Sequence, residues 1–108
     1  MNITISEQAG GENQSAVRLV AALSGDLDNA ASSQAERGLA PVFERTDCDV
    51  VIDCTELNYI SSSGLRIVLN IFKHTRSNGR KAILKGLTED VKEVFHLSGF
   101  LQLFITED

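Results

Sequence analysis

Three consecutive serines, Ser61, Ser62 and Ser63, give this sequence its clearest candidate for chemistry. They precede Gly64 and an apolar pattern with helical spacing, so they fall at the start of a predicted helix. A serine in such a position caps the helix by accepting a hydrogen bond from a backbone N–H. The sequence predicts that one serine is the cap and that the other two are exposed at the positive end of the helix dipole. Capping and turn formation alone also explain all three residues.

Acidic side chains are predicted to flank this helix start. Asp26 and Asp28 belong to a loop before the first predicted helix, and Glu56 follows the most apolar predicted strand. Together they form an acidic rim that a basic partner can recognise. Ordinary roles are also open: turn formation for Asp26, helix capping for Asp28 and a solvated surface charge for Glu56. Asp53, at the end of the apolar strand, is predicted to brace the following loop through a hydrogen bond.

Catalysis is not predicted, because the serines have no evident partner that would activate them. Serine hydrolases place their nucleophile in a Gly-x-Ser-x-Gly turn, and here Ile60 occupies the first glycine position. The two histidines, His74 and His96, are far from this turn in the sequence. We expect His74 near the C-terminal end of its helix and His96 partly buried on another helix. The sequence therefore predicts no enzyme and no catalytic residue.

The composition disfavours several other classes of function. The formal net charge is −5 and the isoelectric point is near 4.9, whereas nucleic acids and anionic membranes favour a basic surface. No run of about 18 apolar residues is present, so no membrane insertion is predicted. The N-terminal residues also lack the pattern of a signal peptide. Two histidines and two cysteines show no paired ligand spacing, so neither a metal nor another cofactor is predicted.

Cys48 and Cys54 are predicted to be free thiols. They are six residues apart in what is predicted as a single strand. A strand rises about 3.3 Å per residue, so the two sulfur atoms are too far apart for a disulfide. Free buried thiols fit a reducing compartment, and we therefore expect a cytoplasmic protein.

A scaffold for these residues follows from the apolar spacing. A chain of 108 residues fits one domain, spanning 1–108, because a second core has no room. Strands and helices follow one another in the order β-β-α-β-α-β-α-β, which predicts an α/β fold. The β-branched run at 49–54 is typical of a parallel strand buried on both faces. The strands are predicted at 3–6, 17–23, 49–54, 82–84 and 101–105, and the helices at 29–43, 62–78 and 89–98.

Two connections and one helix carry more specific predictions. Residues 10–13 are expected to form a turn, and residues 24–28 are expected to end the second strand. Asp28 or Asn29 is predicted to cap the first helix, and Pro41 is predicted to kink it or end it early. The buried stripe of this helix is predicted to comprise Ala31, Ala35, Leu39, Val42 and Phe43.

The stretches Val50–Asp53 and Tyr59–Leu65 resemble the signature of STAS domains. The best-known stand-alone members of that family are bacterial anti-sigma factor antagonists. Residues 24–28 also match the family's loop between the second strand and the first helix, and the resemblance covers essentially the whole chain. It implies an α/β fold in which a mixed sheet of about five strands carries three to four helices in a single layer stack.

The resemblance also implies a switch, in which the serine aligned with Ser62 is phosphorylated. In such antagonists the partner is an anti-sigma factor that is also an ATP-dependent serine kinase. It binds the unphosphorylated form and releases the phosphorylated form, which a serine phosphatase resets. The family often has Asp where this chain has Ser61, so Ser61 and Ser63 stay open as alternative acceptors. The predicted partner-binding residues are Asp26, Asp28, Glu56, Asn58, Tyr59, Ser61, Ser63 and Gly64.

Two alternatives stay within the same fold. Some stand-alone members of the family are accessory subunits of lipid-transporting ATPases, and the sequence does not separate these from sigma-factor regulators. Some others bind nucleotide weakly. Phosphate-binding loops usually need several glycines, and residues 55–64 contain only Gly64, which disfavours a nucleotide site without removing the family precedent.

Overall fold

A five-stranded sheet in the sequential order β1-β2-β3-β4-β5 is the framework of the computed structural model, which describes residues 1–9 and 17–108. The strands are β1 (Asn2–Ala9), β2 (Val17–Leu27), β3 (Asp49–Ile60), β4 (Ala82–Lys85) and β5 (Ile105–Glu107). The helices are α1 (Ser32–Gly38), α2 (Ala40–Phe43), α3 (Ser62–Ser77) and α4 (Glu89–Leu97), and Leu101–Leu103 forms a 3₁₀ turn. The predicted α/β fold, with a mixed sheet of about five strands and up to four helices, is confirmed.

The strand directions follow from the connections. β1 and β2 are neighbours in sequence and pair antiparallel, whereas β2, β3, β4 and β5 pair in parallel. Parallel pairing requires a long crossover, and helical segments supply each one here. Because the crossovers leave the C-terminal ends of β2 and β3 at the same edge of the sheet, the residues after both strands can form one site.

The helices pack on one face of the sheet, where a single apolar cluster forms. The side chains of β3 that enter this cluster include Val50, Ile52 and Cys54, all fully buried. Val51 points to the opposite face and is also buried, as is Ile83, its register partner on β4. The predicted burial of this strand on both faces is therefore confirmed.

The first four strands extend beyond their predicted bounds. β1 covers Asn2–Ala9 rather than 3–6, and β4 ends one residue later than predicted. β2 continues to Leu27 rather than ending at residue 23, and its pairing with β3 shifts register between Ala22 and Ser24 and again between Gly25 and Asp26. Gly25 adopts a φ of 105°, which a residue with a side chain rarely adopts. β3 likewise continues to Ile60. The segments predicted as loops are thus paired strand ends, because the irregular ladder tolerates their turn-forming residues.

The first helix is interrupted as Pro41 predicted: α1 ends at Gly38 and α2 begins at Ala40. The prediction that Asp28 or Asn29 caps this helix is wrong, because the helix begins at Ser32 and its cap residue is Ala31, which makes no side-chain hydrogen bond. Phe43 was expected in the core but is 38 % exposed. α2 has only one turn, and the Phe43 ring packs edge-on against His74, with ring centroids 5.2 Å apart.

The C-terminal strand was predicted too early. Residues 101–103 form the 3₁₀ turn, and β5 begins at Ile105. Phe104 is buried in the core, where the centroid of its ring lies 5.4 Å from that of Phe72 and 5.9 Å from that of Phe95. Because Phe104 packs in the core, the strand begins only at the next residue. His96 was predicted to be partly buried, but it is exposed.

The two cysteines are free and buried, as predicted, although Cys48 precedes β3 rather than lying within it. Burial is the main reason why the pKa of Cys54 rises to about 12 and why the pKa of Cys48 rises as well. The predicted turn at 10–13 lies outside the described residues.

Candidate functional site

Ser61 joins the end of β3 to the start of α3 and is structural. Its Oγ accepts a hydrogen bond from the Gly64 N–H at 3.1 Å, which makes it the helix cap. Its own N–H donates to the carbonyl oxygen of Leu27 at 2.9 Å, so the cap is tied to the end of β2. Ser61 is only 8 % exposed. The predicted helix cap is therefore Ser61, the first of the three serines.

Gly64 allows α3 to approach the strand ends closely. A β-carbon at this position would lie 2.7 Å from Leu27 Cγ, 2.8 Å from Ile60 Cγ1 and 2.9 Å from the Leu27 carbonyl oxygen. Contacts this short do not occur between side chains and backbone without a shift of the neighbours. Gly64 is thus required by packing and sets how near the first turn of α3 lies to the sheet.

Ser62 and Ser63 have different surroundings although they are adjacent. The Ser63 hydroxyl donates to Asn29 Oδ1 at 2.7 Å and is half-buried. Ser62 is exposed, and its hydroxyl makes no hydrogen bond with residues 1–9 or 17–108. The prediction of two exposed hydroxyls is therefore correct for Ser62, whereas Ser63 is only partly exposed and its hydroxyl is engaged by Asn29. We call Leu27, Asn29 and Ser61–Gly64 the serine corner.

The predicted acidic rim is only partly assembled at the serine corner. Asp26 and Asp28 flank Leu27, whose carbonyl binds Ser61. Asp26 is exposed, whereas the Asp28 carboxylate accepts a hydrogen bond from the Ala31 N–H at 2.8 Å and closes the turn before α1. Asp26 therefore has a carboxylate available to a partner, while that of Asp28 already has a local role.

The end of β3 contributes an aromatic side chain to the same edge. Tyr59 is 51 % exposed and lies beside Asp26 in the register of β2 and β3. Glu56 is also exposed but lies opposite Ser24, about 10 Å before Tyr59 along the strand. Of the predicted partner-binding residues, Asp26 and Tyr59 therefore lie next to the serine corner, and Glu56 lies further away.

A cleft beside Tyr59 includes residues that the sequence did not single out. Its volume is about 260 Å³, and it is lined by Asn58, Tyr59 and Ile60 from β3 and by Asp90, Val91 and Val94 from α4. Asn58 and Tyr59 were predicted as partner-binding residues, whereas Asp90 was not. The pattern of α4 places Asp90 in its first turn, but only the tertiary packing of α4 on β3 brings it to this edge.

Asp53 braces the segment that leads to this edge, as predicted. Its Oδ1 accepts hydrogen bonds from the Thr55 N–H at 3.0 Å and from the Thr55 hydroxyl at 2.6 Å. Burial acts to raise the pKa of the Asp53 carboxyl, but these two hydrogen bonds and the charge of Lys85 outweigh it and lower the pKa below its ordinary value. The carboxylate is thus held in its ionised form.

Two further expectations concern metal binding and membrane insertion. Within residues 1–9 and 17–108, no cluster of His, Cys, Asp and Glu is suited to hold a metal ion. In the same part of the chain, no helix has the length and apolar character needed to cross a membrane.

Comparison of the sequence with known proteins identifies a family and a relative. Residues 11–108 match the model of the STAS domain family. A curated relative from Bordetella bronchiseptica, named "Putative anti-sigma factor antagonist BtrV", is 41 % identical over 86 residues, which is 80 % of this chain and 74 % of that protein.

Solved structures share the fold at low sequence identity. A crystal structure from Thermotoga maritima, described as that of "a putative anti-sigma factor antagonist", superposes with a TM-score of 0.77 at 14 % identity, covering 96 % of this chain and 86 % of that one. Bacillus SpoIIAA in its phosphorylated form gives a TM-score of 0.67 at 19 % identity, with 97 % and 90 % coverage. The unphosphorylated form of SpoIIAA gives 0.69 at 18 % identity, with 99 % and 88 % coverage.

Proposed function

Because the chain belongs to the STAS domain family, we propose that it is an anti-sigma factor antagonist, a binding module without catalysis that is switched by a phosphate on Ser62. The unphosphorylated form binds an anti-sigma factor that is also a serine kinase. Phosphorylation releases the complex, and a serine phosphatase restores the binding form. The two buried free thiols fit a reducing compartment, so the proposal includes a cytoplasmic location.

The observation that carries this proposal is the difference between the three serines. Ser61 is occupied by the cap and Ser63 by Asn29, whereas Ser62 is exposed on the first turn of a 16-residue helix. A kinase needs an accessible hydroxyl, and Ser62 is the one that offers it without breaking a local hydrogen bond. This favours Ser62 over the alternatives Ser61 and Ser63.

The departure of Ser61 from the residue that the family often has is compatible with this function. A carboxylate at this position would accept the hydrogen bond of the Gly64 N–H, and the Ser61 hydroxyl accepts the same bond here. The geometry of the helix start is thus maintained with a neutral cap. Because Ser61 is neutral, it does not offset the positive electrostatic potential at the start of α3, and a phosphate on Ser62 meets no negative charge at position 61.

The physical effect of a phosphate differs between the domain and its interface. Within the domain, an anion at a helix N-terminus gains about 0.3–1 kcal/mol, so the fold should remain intact. Across an interface, each added charge about 6 Å from a partner carboxylate costs roughly 1–3 kcal/mol. That cost corresponds to a loss of about one to two orders of magnitude in affinity. A folded domain that has lost its partner is the expected product.

The relatives support the choice of partner. BtrV carries the name of an anti-sigma factor antagonist and is similar over most of this chain. SpoIIAA, whose fold this chain shares, exists in an unphosphorylated and a phosphorylated form. These observations favour an anti-sigma factor over a transporter as the partner and a phosphate as the input.

The experiment isolates the protein from its native host, measures its intact mass and maps any phosphate by peptide fragmentation. Ser62→Ala and Ser62→Asp variants are then compared for proteins that co-purify. We expect a phosphate on Ser62 and a kinase-like partner that the alanine variant retains and the aspartate variant loses. Thr46→Asp, an exposed change in the connection before β3, is the control and should retain the partner.

Two results would contradict the proposal. One is a protein that carries no phosphate under any growth condition while a transporter ATPase binds both Ser62 variants equally. The other is a phosphate on Ser63 instead of Ser62, which would show that the Asn29 hydrogen bond opens during recognition.

A further inference from the structure

The two edges of the sheet differ in length. β5 has three residues, whereas β1 has eight, and β2 is the only strand among the described residues that pairs with β1. The outer side of an edge strand presents backbone N–H and C=O groups that another strand can satisfy. Short edge strands are a common protection against such pairing, and only the β5 edge has it.

The side chains of β1 do not protect this edge either. β1 contains no Pro, Lys or Gly, and it pairs with β2 from Asn2 to Ala9 without a register shift. On the face away from the helices, its side chains are small, neutral and exposed: Asn2, Thr4 and Ser6. Its one charged residue, Glu7, is bonded to Arg45 at 2.6 Å. Nothing in the strand repels another strand by charge or by bulk.

β1 is also held in place before any pairing occurs. Ile3 packs against α1 so closely that a β-carbon on Gly38 would lie 3.0 Å from its Cδ1. Gln34 donates to the Met1 carbonyl oxygen at 3.2 Å, and Arg45 fixes Glu7 near the other end. Because the strand is anchored along its length, little conformational entropy is lost when a partner strand pairs with it.

We propose that β1 is a self-association edge, at which two copies of this chain pair antiparallel with Thr4 of one opposite Thr4 of the other. Directly opposite residues share a face of the sheet. In this register Ile3 lies opposite Ile5 on the helix-covered face, and Asn2 lies opposite Ser6 on the other face. Aliphatic and Thr–Thr pairs stabilise antiparallel strands, so the side-chain pattern of β1 is complementary to itself.

The resulting dimer has two-fold symmetry and joins the two sheets into one. The strand pair buries less than the roughly 1,200–2,000 Å² of a stable interface. The complex should therefore dissociate on dilution. The pairing uses no residue of the serine corner, so it is independent of the function proposed above.

Analytical ultracentrifugation of the full chain over a wide concentration range tests this proposal. We expect a reversible equilibrium between monomer and dimer. Thr4→Lys places two like charges opposite each other at the symmetry axis and should weaken the dimer about five-fold. Thr106→Lys, the matched change on the exposed β5 edge, should leave it unaltered. Circular dichroism verifies that both variants are folded.

Cross-linking tests the register separately. In the proposed pair the β-carbons of the two Thr4 residues are about 4.5–5.5 Å apart, so Thr4→Cys should form an intermolecular disulfide on mild oxidation. Two Ser6→Cys residues would lie about 13 Å apart along the strands and should not. Cys48 and Cys54 are buried and do not compete. A wild-type monomer at every concentration, a dimer that survives Thr4→Lys, or equal cross-linking at both positions would overturn the proposal.

Discussion

The two ends of α3 are built in different ways. At the N-terminal end the Ser61 N–H donates to the Leu27 carbonyl oxygen of β2 at 2.9 Å. The missing side chain of Gly64 lets the first turn of the helix lie close to Leu27 and Ile60. At the C-terminal end the Thr75 hydroxyl and the Asn78 amide donate to carbonyl groups of α3 itself, and a side chain on Gly79 would meet nothing within 4 Å. The N-terminal end is thus bonded to the sheet, whereas the C-terminal end is closed by its own carbonyl groups and reaches another segment through His74, which contacts Phe43 and the Arg45 carbonyl oxygen.

The surroundings of the two ends differ in the same way. The N-terminal end lies beside Asp26 and Tyr59, on paired strands. The C-terminal end carries Lys73 and Arg76 beside an open apolar groove of about 560 Å³. The switch proposed above needs one exposed hydroxyl on a well-packed helix start, and Ser62 at the N-terminal end meets that requirement. The comparison predicts that equivalent substitutions have unequal effects at the two ends.

The largest difference is expected for glycine substitutions. Gly64→Ala places a β-carbon within 3 Å of three atoms of Leu27 and Ile60 and should cost about 3 kcal/mol of unfolding free energy. Gly79→Ala meets open space and should cost only about 1 kcal/mol, because its φ of 70° is unfavourable for a residue with a side chain. Urea denaturation measures both. Equal losses would mean that the serine corner is no more tightly packed than the far end.

A smaller difference is expected for the residues that bond to the helix ends. Ser61→Ala removes the cap and should lower the unfolding free energy by about 1 kcal/mol. Ser61→Asp should restore it, because a carboxylate accepts the Gly64 N–H hydrogen bond as well. Asn78→Ala, which removes the Asn78 amide donor to the His74 carbonyl, should cost about 0.5 kcal/mol. Thermal unfolding of the three variants would refute the comparison if Asn78→Ala proved the most harmful.

The smallest changes in folding stability are expected when a negative charge is placed at either end of α3. The two changes should be similar in size and opposite in sign. Ser62→Asp places a negative charge at the positive end of the α3 dipole and should stabilise the fold by about 0.3–1 kcal/mol. Ser77→Asp places the same charge at the negative end and should destabilise it by a similar amount, with the added loss of the Ser77 hydrogen bond to His74. Denaturation at low ionic strength resolves the two, and high salt should reduce both effects.

The sequence was sufficient for features that depend on local pattern. The β-branched run at 49–54 and the apolar spacing after Ser63 correctly predicted the buried part of β3 and the position of α3. Pro41 correctly predicted the break between α1 and α2. In these cases the signal is the chemistry of consecutive residues, which the fold preserves.

The sequence was insufficient where distant segments decide the structure. Residues 55–60 include polar residues that break the apolar pattern of a strand, so the sequence does not indicate one there. They are extended because they pair with the end of β2. The hydrogen bond from Ser63 to Asn29 joins residues 34 positions apart. No local pattern distinguishes Ser62 from Ser63, so the identity of the exposed hydroxyl came from tertiary packing.

The sequential order of the strands has a consequence for how this protein forms. Each strand pairs with the strand made just before it, and none has to enter between two that are already paired. The sheet can therefore grow in the direction of synthesis as the chain leaves the ribosome. Residues 27–64 contain every member of the serine corner, so this part of the molecule is translated before β4, α4 and β5. A nascent chain holds all parts of the proposed switch before its last strands exist.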